Sequence, residues 1–179
     1  ATVHRPVYLD YVGIRKFDTR GEVVGERRFL GLFTNSAYAE SVTRLPVIGD
    51  KVRTILRDSG YAPDSHSGKD LMQVLETYPR DELFQAPIEV LAENAWEILL
   101  AQERRAFRLF VRKDEFGRFV SALVYLPRDR FNTAVRLRME RMLVEAYGAE
   151  TVDYATRVGD QVLAQIHYIL RMPRGGSLP

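Results

Sequence analysis

The chain carries three histidines, His4, His66 and His167, and no cysteine. No histidine stands four residues from another or beside a carboxylate pair at a known ligand spacing, so a zinc site is not encoded. Absence of cysteine also removes disulfides, thiolate nucleophiles and thiolate-held clusters. Asp64-Ser-His-Ser67 brings acid, nucleophile and base types into one short run. Consecutive loop residues do not set those three groups in a line of hydrogen bonds, so acyl-transfer chemistry does not follow from the run. Ser67, with Asp70 three residues on, is better read as the cap of a helix. The glycines at 13, 21, 25 and 31 form neither GxGxxG before a helix nor GxxxxGK[ST], so neither dinucleotide nor P-loop phosphate binding is indicated. The sequence thus assigns no catalytic, cofactor-binding or metal-binding residue within this chain.

Arginine is the chemistry-bearing residue that does cluster, at positions 104, 105, 108, 112, 118, 128, 130, 136, 138 and 141, with Phe107, Phe110 and Phe119 between them. Basic residues interleaved with sheet aromatics can serve single-stranded RNA. The RNA-recognition aromatic motif is missing, however, and 26 Lys plus Arg against 24 Asp plus Glu leave a net charge of only +2, too weak a field to imply a polyanion. Arg128, Arg130, Asn132 and Thr133 make a more local arrangement. Two cations beside a helix start can hold a carboxylate or phosphate, such as an amino-acid effector. The competing reading is a capped helix with solvated arginines, Asp129 or Asn132 being the cap.

These residues need elements to position them. Val7 to Phe17 and Glu22 to Thr34 are rich in aromatic and β-branched residues around Asp18-Thr-Arg-Gly21, which predicts a β-hairpin. Arg108 to Arg112 and Arg118 to Leu126 around Asp114-Glu-Phe-Gly117 predict a second. Arg108, Phe110 and Arg112 share one face of their strand, opposite Leu109 and Val111, so that strand can present a solvated or subunit-facing side. Between the hairpins the period changes to 3.6. Asn35 or Ser36 is expected to cap a short helix. Ile48, Val52, Ile55 and Leu56 stripe the next, which Gly60 closes, and a third carrying Leu71, Val74 and Leu75 stops at Pro79. A further helix opens at Pro87 with Ile88, Leu91, Ala92, Ala95 and Leu99 inward. Val135, Met139, Met142, Leu143 and Ala146 line the last helix before Gly148. Two strands, 151–157 and 161–172, complete the set. The expected class is α+β: an antiparallel sheet with helices on one face, ferredoxin-like, preceded by a hairpin and a helical segment.

At 179 residues, 46% apolar and 28% charged, the composition is that of a folded globular chain. No apolar run reaches the roughly 18 to 20 residues of a membrane span, and the first residues lack the apolar core of a signal peptide. The chain starts without Met and ends in Arg174-Gly-Gly-Ser-Leu-Pro179, which leads us to expect a piece of something longer.

Several segments together resemble the N-terminal, non-catalytic region of large bacterial NAD-specific glutamate dehydrogenases: Gly25-Glu-Arg-Arg-Phe-Leu-Gly-Leu-Phe-Thr34, Gly68-Lys-Asp-Leu71, Glu76-Thr-Tyr-Pro-Arg-Asp-Glu-Leu-Phe84, Asp114-Glu-Phe-Gly-Arg-Phe-Val120 and, most specific, Tyr125-Leu-Pro-Arg-Asp-Arg-Phe-Asn-Thr133. The resemblance implies residues 1–84 as a hairpin closing a PAS-like unit plus a helical linker, 85–174 as an ACT-like domain, and 175–179 as a disordered tail. It implies a regulatory or assembly role inside a cytoplasmic, homo-oligomeric enzyme whose NAD and glutamate sites lie elsewhere, with the rest of the polypeptide as partner. An independent amino-acid- or anion-binding ACT-like module is the alternative, and RNA binding stands third. Nucleic acid and membrane are not expected partners.

Overall fold

A computed structural model describes residues 9–173. His4, the N-terminal part of the first expected strand and the 175–179 tail lie outside the described residues. Strands β1 (Asp10–Phe17) and β2 (Val23–Gly31) form a two-stranded antiparallel sheet. Helices α1 (Asn35–Ala39), α2 (Ile48–Asp58), α3 (His66–Thr77), α4 (Arg80–Gln85) and α5 (Ile88–Arg104) follow, with a 3-10 turn at Val42–Arg44. Then come β3 (Arg108–Lys113), β4 (Phe119–Pro127), a 3-10 turn at Arg128–Arg130, α6 (Thr133–Tyr147), β5 (Thr151–Arg157) and β6 (Leu163–Arg171). The last four strands form one antiparallel sheet in the order β3-β4-β6-β5. The α+β class and the preceding hairpin and helical segment are as expected.

Both hairpin turns use their Asp and Gly as the spacing requires. Asp18 Oδ1 accepts from the N–H groups of Arg20 and Glu22 at 2.8 and 2.9 Å, and Gly21 takes φ +83°. Asp114 Oδ2 accepts from Arg118 N at 3.0 Å and Gly117 takes φ +66°; only glycine adopts that backbone region without strain.

The sheet's two faces are unlike. On one, Val120, Ala122, Val124 and Leu126 of β4 join Ala164, Ile166, Tyr168 and Leu170 of β6 beneath α6. On the other, Leu123, Tyr125 and Leu163 pack into a second core made by α2, α3, α4 and α5. Helix α6 therefore covers one face and the helical segment the other, and β4 is buried along its whole length.

Three local expectations are corrected. Ser65, not Ser67, caps α3, its Oγ accepting from Gly68 N at 3.0 Å; Ser67 lies inside the first turn. Neither Asn35 nor Ser36 caps α1, whose N-cap position is Thr34 with no side-chain bond. The arginine face of β3 is the more covered one, while Leu109 and Val111 are 44% and 39% exposed. Helix α4, six residues long, was not foreseen.

Candidate functional site

Helix α4 is where the parts of the chain meet. Its first turn holds Asp81 and Glu82. The Asp81 carboxylate accepts from Tyr38 Oη at 3.0 Å, and the Phe84 ring stacks on Phe33 with centroids 4.3 Å apart, which ties the exit of the hairpin to the helix. At the other end Lys51 Nζ donates to the carbonyls of Leu83, Phe84 and Ala86 at 2.9, 2.9 and 2.7 Å. A cation at carbonyls left open at a helix C-terminus is favourable. Burial alone pushes the Lys51 ammonium below its ordinary value.

The inward side of α4 faces the sheet. Glu82, only 5% exposed, accepts from Arg112 Nε at 2.7 Å and Nη2 at 2.8 Å, while the same Nη2 donates to Gln85 Oε1 at 2.8 Å. Burial raises the Glu82 carboxyl, but the Arg112 fork outweighs it and holds the group below the usual carboxylate range. Beyond the fork, Ser121 Oγ lies 2.8 Å from His167 Nε2, and Glu82 Oε1 lies 3.8 Å from that same nitrogen. Burial pushes the His167 imidazole down, against the pull of Glu82.

Acid, imidazole and hydroxyl are thus together, in a grouping the sequence concealed because positions 82, 121 and 167 are far apart. Their order is wrong for nucleophilic catalysis. A triad sets the hydroxyl on one ring nitrogen and the carboxylate on the other; here both approach Nε2, and the carboxylate is already engaged by a guanidinium. Ser121 and His167 are almost wholly buried. The cluster can hold elements in place and can respond to proton uptake. Two further contacts continue it across the sheet face: Glu97 on α5 accepts from Arg108 Nε at 3.0 Å, and Gln165 Nε2 donates to Tyr125 Oη at 2.7 Å and Thr77 O at 3.3 Å. Tyr125 is pushed above the ordinary tyrosine value, mainly by burial.

The positions singled out from the sequence lie elsewhere. Asn132 Oδ1 accepts from Val135 N at 2.9 Å, and Arg128 Nη1 donates to Gly159 O at 2.9 Å. Arg128, Arg130, Asn132 and Thr133 are all exposed beside the start of α6. Among the described residues the N–H groups of Thr133 and Ala134 meet no backbone or side-chain acceptor. His66 is 95% exposed, with Nε2 3.2 Å from Asp70 Oδ2. Phe110 packs against the helical core, and Phe119 is buried near the Arg112 and Arg118 guanidinium groups at 5.8 and 5.9 Å; neither ring stands on an open sheet face. Among the described residues no three His, Cys, Asp or Glu come together as a metal cage, and no helix is long and apolar enough to cross a membrane.

The elements joined at α4 coincide with two family descriptions. Residues 45–104 match "Glutamate dehydrogenase, helical motif 1" and residues 108–178 match "Glutamate dehydrogenase, ACT2 domain". The chain is 47% identical over 171 residues to the NAD-specific glutamate dehydrogenase of Halomonas elongata, covering 96% of this chain and 11% of that protein. It is 46% identical over 170 residues to the enzyme of that name in Pseudomonas aeruginosa, covering 95% and 10%, and 37% identical over 165 residues to that of Mycobacterium tuberculosis, covering 92% and 10%. The chain thus spans about a tenth of the length of the curated relatives it matches. Helical motif, ACT2 sheet and near-complete coverage at high identity agree, and the chain belongs to the large NAD-specific glutamate dehydrogenase family as a segment of its N-terminal region.

Proposed function

We propose that this chain is a regulatory or assembly segment of an NAD-dependent glutamate dehydrogenase, whose whole polypeptide converts L-glutamate and NAD to 2-oxoglutarate, ammonium and NADH in the cytoplasm. The observation that carries this reading is the use of the buried polar groups. Glu82 bonds Arg112 and Ser121 bonds His167 across the junction between helical motif and sheet; Glu82, Arg112 and Ser121 also line a cleft of about 430 Å³, but with the carboxylate engaged by the guanidinium and both acid and hydroxyl at the same imidazole nitrogen, their order is that of a structural junction. Such a junction suits transmission, because ion pairs at a packed boundary have discrete made and broken states that a distant event can bias. The hairpin β1–β2 closes a PAS-like unit in this reading, and the partners are the rest of the polypeptide and further copies in a homo-oligomer.

The test replaces the fork by an apolar pair, Glu82→Leu with Arg112→Met, in the full-length enzyme. The expected result is an altered concentration dependence of subunit association in sedimentation, or an altered response of activity to amino-acid effectors. A variant that matches the unmodified enzyme in both contradicts the reading.

A second reading is an amino-acid- or small-anion-binding module at Arg128, Arg130, Asn132 and Thr133. It is favoured by the N–H groups of Thr133 and Ala134, which meet no acceptor among the described residues beside two exposed arginines. Calorimetric titration with amino acids, repeated on Arg128→Ala/Arg130→Ala, decides it: saturable heat lost in the variant supports the module, and no heat removes it.

A further inference from the structure

Tyr78 follows the last residue of α3 and is buried in the helical core at 4% exposure. Its hydroxyl oxygen accepts from Asn94 Nδ2 of α5 at 3.0 Å, and neither side chain has another hydrogen-bond partner among the described residues. That single bond leaves the pair unfinished. A tyrosine hydroxyl has a proton to give as well as lone pairs to offer, and a carboxamide carries one acceptor oxygen and two N–H donors. Turning the Asn94 amide over only exchanges the roles. In one sense the Tyr78 proton and Asn94 Oδ1 stay open; in the other the two amide N–H groups and the hydroxyl lone pairs do. Either way a donor and an acceptor remain side by side. Buried polar groups are nearly always paired, so a hydroxyl this deep with an unspent proton calls for a partner. Burial pushes the Tyr78 hydroxyl up to about 12, and it therefore keeps that proton throughout the neutral range.

Tyr78 and Asn94 both line the cleft of about 430 Å³ bounded by α5, β3 and β4. Sites for small organic molecules run from roughly 300 to 1,000 Å³ and combine apolar walls with a few placed polar groups. Here Ala86, Pro87, Val90, Leu109 and Leu123 supply apolar wall. The charges along the cleft are already matched within the protein. Glu82 is held in the Arg112 fork, whose Nη2 also meets Gln85, and Lys113 is itself engaged. Ser121 Oγ is taken up by His167 Nε2 at 2.8 Å. A charged guest would leave water for a cleft that offers it no unmatched opposite charge, which is costly. The side chains left to recognise a guest are Tyr78 and Asn94.

We propose that this cleft binds a small uncharged ligand by its amide edge, a carbonyl oxygen beside an N–H, laid against Tyr78 and Asn94 with its apolar part on Pro87, Val90 and Leu109. The ligand's carbonyl takes the open donor and its N–H meets the open acceptor, so both unfinished groups are satisfied at once. Carboxamides, lactams and nucleobases share this edge. A ketone or ester of the same shape offers acceptors only and leaves the acceptor on the protein unmet, and a carboxylate brings a charge as well. The lining comes from α5 of the helical motif and from β3 and β4 of the ACT2 sheet, so an occupant touches both matched units. The site does not depend on the regulatory reading, since it binds its ligand whether or not the junction transmits anything.

Amide hydrogen exchange on the full-length protein, with NAD saturating, tests this with benzamide, uracil and benzoate as the probes. Benzamide or uracil should slow exchange saturably in the segments covering residues 78–94 and 109–113. The tighter of the two tells a carboxamide from a nucleobase. Benzoate, which keeps the ring of benzamide and replaces the amide by a charged carboxylate, should need at least about tenfold more to half-saturate. Tyr78→Phe keeps the ring in the core and removes the hydroxyl, and Asn94→Ala removes the amide at a half-buried position. Each should raise the half-saturating concentration of the uncharged probe about tenfold, as expected when one hydrogen bond is lost. No saturable slowing in those segments with either uncharged probe overturns the proposal. Benzoate acting as strongly as benzamide overturns it too, as does unaltered binding in both variants. None of these results bears on the regulatory reading, which is tested by subunit association and effector response.

Discussion

Arg112 donates from Nε and Nη2 to the two carboxylate oxygens of Glu82, at 2.7 and 2.8 Å, and this fork fastens the six-residue α4 to the edge strand β3. Planar guanidinium and carboxylate match each other's geometry, which makes the pair directional as well as charged. One strand is thereby held to the helix that also receives Lys51, Phe33 and Tyr38. The helix is too short to be stable alone, so its position is set by these attachments.

Removing one partner of the fork should cost more than removing both. Glu82→Ala leaves Arg112 charged and mostly buried, and by analogy with other broken buried pairs the loss is about 3 kcal/mol. Glu82→Leu with Arg112→Met should restore most of it, since well-packed apolar replacements are often neutral. Urea unfolding of the three variants measures the difference. Equal losses in the single and double variants would show that the charge pairing is not what makes the single change costly.

His167 gives the junction an acid-sensitive member. Its folded pKa lies below the ordinary value, so the folded state binds fewer protons than the unfolded one. The resulting stability is present above about pH 6.5, the unfolded value, and declines as pH falls toward the lower folded value. Facing it are Glu82 and Asp81 of α4, Arg112 of β3 and Ser121 of β4. The carboxylates moderate the decline and Arg112 steepens it. The Glu82 carboxylate, itself depressed, adds a loss only below about pH 4.5, its unfolded value. Stability measured between pH 7.5 and 5.5 should fall, and His167→Gln should flatten the slope. An unchanged slope in that variant would sink the assignment.

Lys51 should resist conservative replacement. Lys51→Met strands the carbonyls of Leu83, Phe84 and Ala86, for a loss of about 1 to 3 kcal/mol. Lys51→Arg should recover less than half, because a planar fork does not copy a compact ammonium with three donors. Full recovery by arginine, read from thermal unfolding, would contradict this account of the helix end.

Gly68 is required by close approach. A Cβ there would lie 2.3 Å from the backbone oxygen of Ala62 and 3.1 Å from Ser65 Oγ. Gly68→Ala should therefore destabilise by about 1 to 3 kcal/mol despite alanine's better helix propensity. A neutral or stabilising result in calorimetry would mean that the loop before α3 yields easily.

What could be read in advance follows from how local each signal is. Asp18 with Gly21 and Asp114 with Gly117 announce their turns within four residues, and Gly60 and Gly148 end helices with positive φ. Helix α4 escaped because Arg80–Gln85 makes fewer than two turns, below the window in which a 3.6 period can be recognised, and one of its two buried residues is a glutamate. The faces of β3 were hard to weigh for a related reason. Arginines at 108 and 112 pattern as solvated until Glu97 and Glu82 are brought over them by packing. The Ser65 cap needed a choice between hydroxyls two residues apart that only the Gly68 N–H resolves. The candidate site depends on residues 82, 112, 121 and 167 meeting across four elements, and no spacing in the sequence encodes that.

In the proposed regulatory or assembly reading, the buried polar groups at the α4 junction position elements and take no part in chemistry. Ser121→Ala with His167→Gln in the full-length enzyme tests it through the single-turnover rate of NADH formation at saturating glutamate and NAD. A rate within about twofold of the unmodified enzyme is expected; a loss of roughly a hundredfold or more, as when a general acid or base is removed, would overturn the positioning role.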